Sequence, residues 1–260
     1  MTNTTLPALF LGHGTPMNTL ADNRYTQAWR GLGLSLPRPR AILAVSAHWY
    51  LDRVAVTAMA APETIHDFGG FPQALYDIRY PAPGSPPLAA RVIELLSPLD
   101  VAADQDWGLD HGTWSVLAHA YPDADIPVVQ LAVDRRQPAR FHYELGRRLA
   151  PLRKEGILIV GSGNVVHNLR ALRRDAGDAA HAWAERFERA VMERLRRGDH
   201  DALIDYQDLD PEALLAVPTP EHYLPLLYAI GAMRTDEEVS LPSHGIDMAS
   251  LSMLSVLVGI

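Results

Sequence analysis

The sequence predicts an α/β protein, a single domain over residues 1–260 with a mostly parallel or mixed central sheet and helices on both faces. Three observations lead there. Apolar runs at Leu6 to Leu11, Ala41 to Ala47, Ile126 to Val133 and Gly156 to Val160 are continuous rather than alternating, the pattern of strands buried on both sides. Segments with helical character, Ala21 to Trp29, Leu88 to Leu96, Ala139 to Lys154 and Ala179 to Arg197, separate or follow those runs in strand-helix order. A chain of 260 residues that is 48% hydrophobic and 21% charged can bury one large core, and it carries no repeat or clear linker.

Element by element, the first run ends at Gly12, so His13 falls just beyond a strand. Asp22 and Asn23 are candidate N-caps for the first helix, and Pro37 and Pro39 close that region. Arg53 to Met59 alternates enough for another strand. Pro62 to Pro87 is dense in Gly, Pro and aromatic residues and reads as a long ordered loop with one or two helical turns. Long loops in compact domains tend to be functional, which makes His66-Asp67-Phe68-Gly69-Gly70-Phe71-Pro72 a candidate active-site wall. A second polar and aromatic loop, Asp106 to Trp114, leads into a short helix through His119. Asp199 to Val217 reads as irregular, Pro220 as the first turn of a helix, and Leu251 to Val258 as a C-terminal strand.

Composition narrows the function. The net charge of -8 argues against general nucleic-acid binding, and the arginines between Arg186 and Arg197 alternate with glutamates as on a solvated helix face. With no cysteine, disulfides, thiolate sites and cysteine nucleophiles are excluded, and any metal must be held by nitrogen and oxygen. No apolar stretch approaches the roughly 18 residues of a membrane span, and no signal core follows a basic start, so a cytoplasmic protein without membrane partners is expected.

Histidines carry the chemistry. His13, His48 and His167 each follow an apolar strand within a few residues, and His222 lies in a helix first turn. Strand ends in an α/β sheet converge on one crevice, so these four are expected to share a metal site. Neutral imidazoles suit zinc, iron, copper and nickel. Gly161-Ser162-Gly163 imitates a dinucleotide fingerprint but lacks its third glycine, and neither Ser46 nor Ser162 sits in a nucleophile elbow. His119, His142, His181 and His200 are expected at surface positions, and His244 in a turn.

The motifs Leu11-Gly12-His13-Gly14-Thr15-Pro16-Met17-Asn18, Ser46-Ala47-His48-Trp49, Asp110-His111-Gly112-Thr113-Trp114, Gly163-Asn164-Val165-Val166-His167-Asn168-Leu169 and Thr219-Pro220-Glu221-His222-Tyr223, with the His66 to Pro72 loop, give the chain a further reading. Across nearly its whole length it resembles the class III extradiol ring-cleaving dioxygenases of the 4,5-DOPA extradiol dioxygenase family. The resemblance implies opening of a catechol such as L-DOPA with O₂ at one divalent metal per chain, Fe(II) in ring cleavage or Zn(II) as isolated. It implies His13, His48 and His222 as ligands, His167 as ligand or acid/base, and His111 as a catalytic histidine near substrate and oxygen. His66, with lining the pocket and holding the loop both open to it, joins Trp49 and Tyr223 as the expected substrate-binding set. The chain departs from the two-histidine, one-carboxylate iron site by placing histidine third, with Glu221 beside it; neighbours on a helix point about 100° apart, so the two do not ligate equally. A histidine shell also suits zinc, which keeps a zinc hydrolase and a non-catalytic metal-binding protein of the same fold as alternatives. Monomer and small homo-oligomer both fit the composition.

Overall fold

The computed structural model describes residues 5–175 and 179–259. In chain order the strands are β1 (Ala8–Gly12), β2 (Ala41–Leu51), β3 (Val54–Thr57), β4 (Val101–Asp104), β5 (Val128–Asp134), β6 (Ile157–Gly163), β7 (Val239–Ser243), β8 (Ile246–Asp247), β9 (Leu251–Ser252) and β10 (Ser255–Val258). The helices are α1 (Arg24–Ser35), α2 (Gln73–Tyr76), α3 (Pro86–Leu96), α4 (His111–Ala120), α5 (Ala139–Leu149), α6 (Pro151–Lys154), α7 (Ala182–Arg197), α8 (His200–Ile204), α9 (Ala213–Ala216) and α10 (Leu224–Gly231). Eight strands form one sheet in the order β4-β3-β5-β2-β6-β1-β10-β7. It is mixed: β5, β2, β6 and β1 run parallel, while β10, β7 and β3 pair antiparallel with their inner neighbours.

The parallel centre is apolar on both faces because both are covered. On one face Phe10, Leu43, Leu131 and Ile159 join a core with α3, α5, α7 and α10; on the other Leu9, Ile42, Val128 and Leu158 join α1 and α4. Consecutive strand residues thus enter opposite cores, as the two-residue repeat of a strand requires. Burying one such Leu or Ile side chain contributes about 1.5–3 kcal/mol. Local signals set the ends. Asn23 caps α1 through a reciprocal box with Thr26, and Asp110 caps α4 by accepting from Thr113 N at 3.1 Å.

Several expectations are corrected. The edge strand β4, Val-Ala-Ala-Asp, had no counterpart among the expected strands, since four residues are too few for a pattern to stand out. Asp199 to Val217 holds two short helices, α8 and α9, rather than irregular chain. The C-terminal run is split into β9 and β10, because Met253 and Leu254 break the pairing between them. No described helix is long and apolar enough to cross a membrane.

Candidate metal centre

Sheet register brings the histidines together. β2, β6 and β1 are parallel neighbours, with Ser46 paired to Ser162 and Ser162 to Leu11, so their carboxyl ends lie at one edge. His13 is the first residue beyond β1, and its N–H bonds Gly163 O at 3.1 Å. His48 lies inside β2 rather than after it. There the pairing with β5 jumps from Val45–Leu131 to Tyr50–Val133, and the extra β2 residues bulge out of the ladder. His222 ends a short 3-10 helix, Pro220–His222, whose backbone is fastened by Asn164 N donating to His222 O at 2.8 Å. A Cβ at Gly163 would sit 2.2 Å from His222 O, so only glycine permits that approach. Gly14, at φ 65, turns the chain away beyond His13.

Ligand atoms of His13, His48 and His222 lie within 4.8 Å of one another. Each ring has its Nδ1 beside an oxygen. Ser162 Oγ is 2.9 Å from His13 Nδ1, and because its own hydroxyl donates to Gly112 O, it accepts from the ring. Asp67 Oδ2 is 3.2 Å from His48 Nδ1, and Glu221 Oε1 is 3.2 Å from His222 Nδ1. These partners hold the proton on Nδ1 and leave Nε2 as a lone pair in all three rings. His48 Nε2 faces His13 Nε2 at 3.3 Å, and buried His222 Nε2 has no hydrogen-bond partner among the described residues. Lone pairs that converge without a proton to share fit a cation, so the donor set suits a divalent metal.

The electrostatics agree. Burial, reinforced by the neighbouring histidines, holds His13 and His222 well below the ordinary imidazole value, and burial pulls His48 down to about 3. Burial also lowers His167 to about 4. These rings are therefore neutral at pH 7, the state that ligates and accepts protons. Burial works against the Asp67 charge, but the hydrogen bond from His111 and the adjacent imidazoles outweigh it and bring the carboxyl to about 2.

His111 opens α4, donating its backbone N–H to Asp67 Oδ1 at 2.8 Å and placing Nδ1 2.9 Å from the same oxygen. Its ring lies 3.9 Å from that of His48. Behind it, buried Asp110 accepts from Ser46 Oγ at 2.6 Å and Gln130 Nε2 at 2.7 Å, which ties the start of α4 to β2 and β5. His167 stacks on His222 with centroids 3.4 Å apart and planes 7° apart. Its ligand atoms group with those of His222 and Glu221, not with those of His13 and His48. All five histidines border one open cavity of about 710 Å³ walled by the Phe68–Pro72 loop, by Thr15 to Met17, and by Leu169, Leu172, Arg174 and Met248.

Other expected site residues lie elsewhere. Trp49 is buried, stacked on Trp107 at 5.8 Å with Ala55 and Ala132 beneath, because strand alternation points it away from the side that His48 takes. Tyr223 is in the core, its hydroxyl donating to Leu203 O at 2.8 Å. His66 holds the loop: Nε2 bonds Ile78 O at 3.1 Å, and the ring lies among Phe68, Tyr76 and Trp114. His119 and His142 are buried, not surface residues, bonded to Asn18 O and the Tyr228 hydroxyl at 2.9 Å each. Asp67 and Ser162 are the functional residues that sequence reasoning passed over. Asp67 stood inside the loop singled out as a wall, and a carboxylate beside aromatics and two glycines was the available signal.

A histidine cluster at the carboxyl edge of the sheet's parallel centre fits the class of metal-dependent α/β enzymes, and the comparisons narrow this. Residues 8–259 match the family described as the catalytic LigB subunit of aromatic ring-opening dioxygenase, and the chain belongs to that family. It is therefore an enzyme of the extradiol dioxygenase class, whose members use a divalent metal. It is 55% identical to the 4,5-DOPA dioxygenase extradiol of Escherichia coli (strain K12), over 100% of this chain and 97% of that one. To the protein of that name from Beta vulgaris it is 39% identical, over 94% and 92%. The crystal structure of an uncharacterized protein from Escherichia coli K12 superposes with a TM-score of 0.86 at 50% identity, covering 98% of this chain and 100% of that one.

Proposed function

We propose that this enzyme opens the ring of a catechol such as L-DOPA by 4,5-cleavage with O₂, at one divalent ion held by His13, His48 and His222. The observation that carries the reading is the convergence of three Nε2 lone pairs, each fixed by an oxygen at its own Nδ1. When bound, the ion supplies the positive charge that makes catechol hydroxyls acidic and, as Fe(II), the redox chemistry that O₂ requires. Zn(II) suits the same donors and is the form expected on isolation when iron is lost. The names of the relatives support the substrate class.

The chain's own groups handle position and protons. His167 is neutral at pH 7, lines the cavity and stacks on His222, so it accepts a proton from a catechol hydroxyl and returns it during ring opening. It acts as acid and base rather than as a fourth ligand. His111, its Nδ1 hydrogen taken by Asp67, presents Nε2 as its basic nitrogen and serves the second proton position. Glu221 orients His222 and does not ligate. Phe68, Phe71 and Met248 provide apolar wall against the aromatic ring, and the cavity has the volume of an ordinary small-molecule site.

Anaerobic Fe(II) reconstitution followed by oxygen uptake with a panel of catechols tests this. A ring-opened chromophore is expected, and its absence from a fully iron-loaded protein overturns the reading. Ester or amide hydrolysis by the zinc form without oxygen uptake would favour a zinc hydrolase instead. His13→Ala and His48→Ala should lose bound metal, whereas His167→Ala should keep metal and lose turnover by about 10²–10⁴-fold.

A further inference from the structure

The cavity's charge pattern is lopsided. Among the described residues along its border, Arg174 is the one side chain with a fixed positive charge, and Asp67 the one carboxylate. Asp67 is committed to His48 and His111 through both oxygens. Arg174 makes no hydrogen bond or ion pair among the described residues, although most arginines of this acidic chain do. It is solvent-exposed while bordering the cavity, which places it at the rim.

Its backbone is braced from the neighbouring residue. Arg173 N donates to Met248 O at 3.0 Å, and Asn168 N to Ser250 O at 3.2 Å, fastening this wall to the turn before β9. Asn168 accepts in turn from Ser250 Oγ at 2.8 Å. The wall that carries His167 therefore continues through apolar Leu169 and Leu172 to a single cation. An aromatic ring held at the histidine end has an apolar path for a short alkyl arm and one partner for an anion at its end. For an ammonium group on the same arm, the described residues of the border offer no carboxylate beyond the committed Asp67.

We propose that Arg174 is a specificity-determining residue that pairs with a side-chain carboxylate, so that the preferred substrates are catechols bearing a short carboxyalkyl arm, with or without an amino group. This rests on the dioxygenase reading for its turnover assay but not for its binding assay. A guanidinium matches a carboxylate with two parallel N–H donors, and at an exposed rim such a pair is worth a modest, salt-sensitive factor.

The test compares wild type with Arg174→Gln and Arg174→Lys on L-DOPA, 3-(3,4-dihydroxyphenyl)propanoate, dopamine and 4-methylcatechol. In Arg174→Gln, KM for the two acids should rise about five- to tenfold at low salt with kcat retained, while dopamine and 4-methylcatechol are unchanged. Arg174→Lys should recover part of the loss, and added salt should erode the wild-type preference for acids. Anaerobic calorimetric titration of the same protein with 3-(3,4-dihydroxyphenyl)propanoate and 4-methylcatechol reads binding alone. If no catechol is opened but Arg174→Gln weakens binding of the acid only, the dioxygenase reading fails and the inference stands. Equal loss for acid and neutral catechols, or no loss for the acids, overturns it.

Discussion

Asp67 divides its carboxylate between two histidines, Oδ1 toward His111 and Oδ2 toward His48. An asparagine could still accept from His111, but its amide nitrogen would then meet His48 Nδ1, which would have to become the acceptor. That tautomer puts the His48 proton on Nε2, where a ligand lone pair is needed. Asp67→Asn should therefore weaken metal affinity about 10–100-fold with little change in fold, measured by chelator competition beside circular dichroism. Trp49 gives the opposite case. Because its ring is stacked on Trp107 in a buried cluster, Trp49→Ala should cost about 3–5 kcal/mol of stability, read from urea denaturation, without touching the cavity wall.

At the scale of elements, the site exists because β2 breaks its ladder and β6 ends in glycine. The bulge after Val45 swings His48 out of line with β5, and Gly163 lets the Pro220–His222 turn lie directly on the strand. Gly163→Ala puts a methyl group where His222 O stands, 2.2 Å away. Overpacking of this kind costs about 1–3 kcal/mol, and here the strain falls on a proposed ligand. Metal retention measured after desalting should drop together with the melting temperature. Reversal of only one of the two would separate the strand packing from the ligand's position. The apolar runs and the caps were legible as elements, since each depends on neighbours in the chain. Neither the bulge nor the turn's seat on β6 was, since each depends on which strand lies alongside.

Across the whole molecule, burial stores acid sensitivity. His48 is lowered to about 3, and His167 and His142 to about 4, all chiefly by removal from water. The unfolded chain binds protons on these rings near the ordinary value of about 6.5, so below that pH the unfolded state gains protons that the fold refuses. Their neutral burial thus costs no stability above about pH 6.5, and the fold loses stability as pH falls from there toward about 4. Each such histidine contributes a slope of up to about 1.4 kcal/mol per pH unit within that window. Urea midpoints of the metal-free protein at about pH 7, 6 and 5 should decline in order. A flat profile would mean that the cluster takes up protons without unfolding.

Much of the protein was already written in the linear chain. Continuous apolar runs require two covered faces, helices between them require a largely parallel centre, and histidines after three such runs must gather where parallel strands end. The absence of cysteine left only nitrogen and oxygen to hold a metal. What the chain could not specify was direction. Alternation along β2 sends His48 to the cavity and Trp49 to the core, although both stand in the same motif. Only the fold set Ser162 and Asp67 against the Nδ1 atoms of His13 and His48, because those partners come from other parts of the chain, Ser162 from 149 positions away. Hydrogen-bond partners in three dimensions decide which nitrogen keeps its proton, and in His13, His48 and His222 that choice leaves Nε2 with the lone pair on which the proposed metal site rests.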